Sequence, residues 1–239
     1  MNVLQVEHIT KEYPGFRLED VSFAVEKGTV MGFVGRNGAG KTTVLKSLMN
    51  MVHTSGGRVT FFGLDMKEHE RDIKQRIGYA GGAVDYYRKK PIRTLLDITK
   101  RFYDHWDDEV CSRYLKLFSL DENKTPSELS EGMKVKLNLA IALSHGAELL
   151  ILDEPTSGLD PVSREELLEI FKHLKNRGVS ILFSTHITSD LDKCADDITY
   201  IRDGRIVYTG SAGGFADGET VEAVILRLEK EAFHEKLDL

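Results

Sequence analysis

Cysteine is nearly missing from this 239-residue chain. Only Cys111 and Cys194 occur, far apart, a pattern that suits neither a disulfide framework nor a zinc site. No apolar run approaches the roughly 20 residues of a membrane-spanning helix. The first residues lack the charged-then-apolar layout of a secretion signal. Repeats, low-complexity segments and flexible linkers are also missing. No long basic stretch appears, and 32 Lys and Arg against 38 Asp and Glu leave a net charge of −6. That balance gives no electrostatic footprint for nucleic acid. The densest positive cluster, Arg88-Lys89-Lys90-Pro91-Ile92-Arg93, reads as a solvated turn. With 41% hydrophobic and 29% charged residues, the composition is that of a globular chain long enough to bury a full core. These absences predict a cytoplasmic protein with no nucleic-acid partner.

What is present begins with Gly35-Arg36-Asn37-Gly38-Ala39-Gly40-Lys41-Thr42. It fits the G-x-x-x-x-G-K-[ST] phosphate-binding loop. The β-leaning run Thr29 to Val34 precedes it, and Val44, Leu45, Leu48 and Met49 follow at helical spacing. The motif therefore stands in the strand–loop–helix context it needs. Gly35, Gly38 and Gly40 are expected to let the backbone curl so that successive N–H groups point at phosphate oxygens. The next helix presents its positive end to the same anion. Lys41 is placed to reach the β- and γ-phosphates, and the Thr42 hydroxyl to ligate Mg²⁺. Binding of a nucleoside triphosphate is the expectation.

Residues 2–34 read as short strands, Val3 to Glu7, Leu18 to Val25 and Val30 to Val34, punctuated by Pro14-Gly15 and Lys27-Gly28. Arg58 to Phe62 adds another. The middle is helical: Leu95, Ile98 and Phe102 share a face of a helix opened by Thr94. Val110, Tyr114 and Leu117 share a face of a second, started near Asp107, and a third begins near Ser130. An α/β pattern then returns. Leu149 to Leu152 reads as a strand buried on both faces, Asp160-Pro161 as a helix start, and Ser180 to Ser184 and Ile198 to Ile201 as further strands. Asp203-Gly204 makes a hairpin turn into Arg205 to Tyr208, and Val221, Val224, Ile225 and Leu228 mark an amphipathic tail helix. The expected architecture is α/β, with a mixed-sheet core, an N-terminal antiparallel β-subdomain and an inserted α-helical subdomain. In residues 1–239 we read one domain. Residues 1–83 and 145–212 form its nucleotide-binding lobe, 84–144 its helical subdomain and 213–239 its tail.

A second constellation narrows the chemistry. Leu149-Leu-Ile-Leu-Asp153-Glu154 is a buried strand ending in two carboxylates. One is suited to a Mg²⁺ ion, and the next to an attacking water. Ser130 and Gly132 open a helix whose hydroxyl, N–H groups and dipole suit a γ-phosphate. His186 follows a buried strand, where its ring could hydrogen-bond a γ-phosphate.

The order of these motifs resembles the nucleotide-binding subunit of an ABC transporter, a P-loop NTPase, over nearly the whole chain. By that resemblance Gly35 to Thr42 is Walker A, and Leu149 to Asp153 is Walker B. Glu154 takes the catalytic glutamate's place, Ser157-Gly158-Leu159-Asp160 the D-loop and His186 the switch histidine. Leu129-Ser130-Glu131-Gly132-Met133 stands for the signature L-S-G-G-Q. The resemblance implies ATP held by Gly35, Asn37, Gly38, Ala39, Gly40, Lys41, Thr42 and Thr43, with Tyr13 stacked on adenine, although Phe16 competes for that role. It implies Mg²⁺ held by Thr42 and Asp153, and hydrolysis involving Glu154, His186 and Lys41. Ser130, Gly132 and Asp160 would serve across a head-to-tail dimer with a second ATPase subunit, identical or not. Integral membrane permease subunits would be driven from the cytoplasmic face of the cell membrane, through the helical lobe around residues 84–128.

Two departures stand out. Gly82 occupies the position of the family's glutamine, and Asp85 or water is the expected substitute. Glu131 and Met133 replace glycine and glutamine in the signature. An L-S-x-G-M signature resembles ATPases of ABC-2 type exporters, of the bacitracin-resistance and acetoin-utilisation-like subgroups, which points to export. Competing readings are a regulatory ABC ATPase with vestigial hydrolysis and a soluble one acting on DNA or ribosomes.

Overall fold

The computed structural model describes residues 1–81 and 87–237. In chain order it contains β1 (Asn2–Tyr13), β2 (Phe16–Glu26), β3 (Val30–Val34), α1 (Lys41–Leu48), β4 (Gly56–Phe61), β5 (Leu64–Asp65), α2 (Glu70–Lys74) and β6 (Ile77–Gly81). Next come α3 (Ile92–Thr99), α4 (Asp108–Leu117), α5 (Glu131–Ser144), β7 (Leu149–Asp153), α6 (Pro161–Asn176) and β8 (Ser180–Thr185). Last are α7 (Thr188–Cys194), β9 (Asp197–Arg202), β10 (Arg205–Ser211), α8 (Ala212–Ala216) and α9 (Val221–Leu237).

The strands form two sheets. An antiparallel sheet runs β2-β1-β4-β5, and a larger one runs β10-β9-β3-β8-β7-β6. In the larger sheet β9, β3, β8, β7 and β6 are parallel, and β10 returns antiparallel beside β9. The Asp203-Gly204 turn joins that last pair, with φ of 47° and 80°, the left-handed values of a two-residue hairpin.

The unbroken apolar runs of β3, β7 and β8 are explained by burial on both faces. Leu149 and Ile151 pack with Phe33, Leu182 and Ile201 on the side of β1, β2 and α1. Leu150 and Leu152 pack with Phe171, Phe183, Leu137 and Ile225 on the other side. The strand period of two thus sends alternate side chains of one run into two different cores. The tail helix α9 joins the second core through Val221, Val224 and Ile225.

The inserted helices differ from expectation in two places. α3 starts at Ile92, after Pro91, rather than at Thr94, and it buries Ile92, Leu95 and Leu96. It stops at Thr99 and tightens into a single 3₁₀ turn, Lys100–Phe102, so Phe102 leaves the helical face and is 71% exposed. In α4, Asp107 caps the start as expected, its carboxylate accepting from the Glu109 and Val110 N–H groups. The buried face is Cys111 and Leu115, one residue on from the expected stripe, while Leu117 is 70% exposed. One residue is 100° of rotation on a helix, which leaves Val110 and Tyr114 half-buried at the flank and turns Leu117 outward.

Candidate functional site

The phosphate loop leaves β3 and enters α1. Gly38 and Gly40 sit at φ 84° and 109°, in the left-handed region where a side chain is strained. Gly35 is required for another reason. A Cβ there would lie 2.4 Å from the Ile201 carbonyl oxygen, so its small size lets the loop lie against β9. The expected curl therefore belongs to two glycines, and the third serves packing. Ala39 is buried beneath the loop, and its N–H donates to Arg36 O at 3.1 Å.

Lys41 is only 6% exposed. Its ammonium donates to Gly35 O at 2.7 Å and Arg36 O at 3.3 Å, and lies 3.1 Å from Glu154 Oε1. The other Glu154 oxygen is 2.6 Å from His186 Nδ1. The Lys41 ammonium and the His186 ring, from distant parts of the chain, thus meet at one carboxylate. Around them lies a cavity of about 410 Å³, lined by Phe16, Asn37, Gly38, Gly40, Lys41, Thr42, Thr43, Glu154, Ser157 and His186. Its floor is cationic and rich in backbone N–H groups, the chemistry of a polyphosphate site.

Glu154 has φ +52°, uncommon outside glycine. β7 ends at Asp153, whose register partner on β8 is Ser184. The Ser184 hydroxyl donates to Asp153 Oδ1 at 2.5 Å and accepts from the Glu154 N–H at 2.9 Å. Sequence reasoning missed Ser184. The only available signal was its place two residues before His186.

Thr42 lies in the first turn of α1, and Asp153 directly precedes a residue lining the cavity. A hydroxyl and a carboxylate are hard oxygen donors of the class Mg²⁺ takes. Among the described residues no group of three or more His, Cys, Asp or Glu could hold a metal by itself. Phosphate oxygens and water would have to complete the shell.

Ser130, Gly132 and Asp160 do not line this cavity. Ser130 caps α5 by accepting from the Met133 N–H at 3.3 Å. Gly132 faces Leu159, whose nearest carbon would be 3.3 Å from an added Cβ. Asp160 caps α6, accepting from Val162 and Ser163 N–H at 3.0 and 3.1 Å. The Ser163 hydroxyl, helped by backbone N–H groups, holds the Asp160 carboxyl below the usual range. Glu131 pairs with Lys134 at 2.6 Å, so its charge has a local partner.

Tyr13 and Phe16 are opposed across the Pro14-Gly15 turn. Phe16 packs against Gly40 and lines the cavity, whereas Tyr13 is 41% exposed with Lys11 Nζ 5.3 Å from its ring centre. Gly82 and Asp85 lie outside the described residues.

The family model described as "ABC transporter" matches residues 18–157. The chain is 33% identical to the ABC transporter ATP-binding protein NatA of Bacillus subtilis over 211 residues, covering 86% of each chain. It is 32% identical to the bacitracin transport ATP-binding protein BcrA of Bacillus licheniformis over 209 residues, covering 86% of this chain and 68% of that protein. A solved structure described as the ATP-binding subunit of an ABC transporter superposes with a TM-score of 0.85 at 25% identity, covering 95% of this chain and 99% of that one.

Proposed function

The chain belongs to the ABC transporter family as an ATP-binding, ATP-hydrolysing subunit, and we propose that it drives export through separate membrane subunits while paired head to tail with a second ATPase subunit. The observation that carries this reading is the meeting of Lys41, Glu154 and His186 at the mouth of the phosphate loop. Export is supported by the likeness to BcrA, whose name assigns it to bacitracin transport.

In this reading the loop N–H groups and Lys41 hold the phosphates of ATP, displacing the Gly35 and Arg36 carbonyls as acceptors for the ammonium. Glu154 orients a water toward the γ-phosphorus and accepts its proton as the bond to the ADP oxygen breaks. His186 steadies the glutamate through Nδ1 and senses the γ-phosphate. Mg²⁺, held by Thr42 and Asp153, would supply charge neutralisation at the phosphate oxygens. Lys41 adds a fixed positive charge where negative charge develops.

Ser130, Gly132 and Asp160 lie outside the cavity at the phosphate loop, and in this reading they serve a phosphate carried by the paired subunit. No helix among the described residues is long and apolar enough to cross a membrane, so the permease is assigned to other chains on whose inner face this one sits. A groove of about 520 Å³ lies between the helical lobe and α6, with Tyr114, Leu117 and Leu143 on one side and His173, Leu174 and Arg177 on the other, and the helical-lobe side is the surface this reading assigns to that contact.

The test is Mg²⁺-ATP hydrolysis at increasing protein concentration, with size exclusion of Glu154→Gln in ATP. Turnover rising faster than linearly and an ATP-dependent dimer of the variant are expected. Linear, protein-concentration-independent specific activity with a monomeric variant would overturn the paired mechanism. Absence of turnover with and without membrane subunits would overturn the hydrolytic role.

A further inference from the structure

We propose that Ser184 is a positioning residue for hydrolysis, holding Glu154 in its left-handed conformation and Asp153 in its orientation through one hydroxyl. The proposal rests on the ATPase reading above. Ser184 is fully buried at the end of β8, directly beside Asp153 in the parallel register. A backbone N–H can only donate, so at the 2.9 Å contact with Glu154 the hydroxyl oxygen accepts. Its single proton is then committed to Asp153 Oδ1 at 2.5 Å. The direction of both bonds is therefore fixed.

The consequence lies in where Glu154 points. At φ +52° the chain turns sharply out of β7, and this turn aims the carboxylate back between Lys41 and His186. An extended conformation at residue 154 would direct the carboxylate elsewhere. The Glu154 N–H meets both the Ser184 hydroxyl and, at 3.2 Å, the Ser184 carbonyl, so β8 grips the turn twice. Only the hydroxyl also reaches Asp153. Ser184 thus ties the orientations of the two carboxylates together, while touching neither Lys41 nor the phosphate loop.

This separation dictates the test. Ser184→Thr and Ser184→Val have nearly the same volume and differ only in the hydroxyl, so any overpacking in the buried strand is common to both. We expect Ser184→Thr to keep most of the wild-type kcat. Ser184→Val should lose about tenfold to a hundredfold, the scale of a misplaced catalytic group. Affinity for a non-hydrolysable ATP analogue, measured directly without Mg²⁺, should not fall in Ser184→Val relative to Ser184→Thr, because Lys41 and the loop are untouched. Deuterium uptake in peptides spanning residues 150–158 should be faster in Ser184→Val than in Ser184→Thr. Equal kcat in the two variants, with wild type active, would overturn the Ser184 role alone. So would a fall in analogue affinity that parallels the fall in kcat, since that marks collapse of the site. A wild type without turnover would overturn the ATPase reading and this one with it.

Discussion

Lys41 and Glu154 form an ion pair at 3.1 Å, with the lysine almost wholly buried beneath the phosphate loop. The same ammonium that must bind phosphate is shared with the carboxylate that must handle water. Removing the carboxylate charge therefore acts on binding and chemistry in opposite directions. Glu154→Gln should lower kcat by about 10²- to 10⁴-fold, the range for a lost general base. It should also tighten ATP binding, because Lys41 no longer faces a competing anion. Lys41→Ala should abolish measurable affinity while leaving the fold intact. Equilibrium binding of a fluorescent ATP analogue beside steady-state turnover checks both. Weaker binding in Glu154→Gln would contradict the shared-cation account.

The two aromatic residues beside the loop should separate in their effects. Tyr13 and Phe16 oppose one another across a tight turn, but only Phe16 packs against Gly40. Tyr13 is 41% exposed, with Lys11 Nζ 5.3 Å from its ring centre, and that exposure leaves it accessible to a base. Tyr13→Ala should weaken ATP binding about tenfold, as expected for one lost stacking partner, and leave kcat unchanged. Inorganic tripolyphosphate should bind Tyr13→Ala as it binds wild type, since it has no base. Phe16→Ala should weaken both ligands, because the ring supports the loop itself. If Tyr13→Ala leaves ATP binding unchanged while Phe16→Ala weakens ATP alone, the assignments are reversed.

Most of this was legible in the residues, for reasons that differ by element. The phosphate loop and the Asp153-Glu154 strand end are contiguous in sequence, so spacing alone locates them. The same holds for Asp107, Ser130 and Asp160, whose capping bonds reach only two or three residues ahead. Ser184 was hidden because its partners are 30 and 31 residues away and meet it only when β7 and β8 pair. Gly35 was assigned the wrong reason for the same cause, since Ile201 approaches it from another strand. Phe102 was misplaced because periodicity cannot see that a helix has already ended.

His145 gives the protein a specific acid sensitivity. It ends α5, is 3% exposed, and stacks on Tyr103 with ring centres 3.8 Å apart. Nδ1 donates to the Gln75 carbonyl at 3.1 Å, while buried Nε2 has no hydrogen-bond partner among the described residues. Burial pushes the imidazole down to about 4 from 6.5. Above pH 6.5 the ring is neutral in folded and unfolded chains alike, and this contribution to stability is fully present. As pH falls below 6.5 the unfolded chain takes up a proton that the folded chain refuses, so unfolding gains. Between pH 6.5 and 5, wild type should lose about 2 kcal/mol that His145→Gln does not lose. Denaturant unfolding at several pH values reads the difference. Parallel curves would show that His145 is not the group responsible.

Charge in the altered signature should tune how readily two subunits pair. Glu131 stands in the first turn of α5, where a helix tolerates an acid, and its carboxylate is paired with Lys134 at 2.6 Å. The pair lies on the exposed end of that helix, so a triphosphate brought there by a second subunit would meet a carboxylate as well as the Ser130 hydroxyl. Lys134 offsets that repulsion only while it remains paired. Glu131→Gly removes the negative charge and frees the ammonium to face phosphate. The ATP-dependent dimer should then form at several-fold lower protein concentration, and turnover should rise at concentrations where wild type is mostly monomeric. Lys134→Ala should shift dimerisation the opposite way, because it leaves the Glu131 charge uncompensated. Analytical ultracentrifugation of both variants in the Glu154→Gln background measures association without hydrolysis. If both shift dimerisation in the same direction, charge at this helix end does not control pairing.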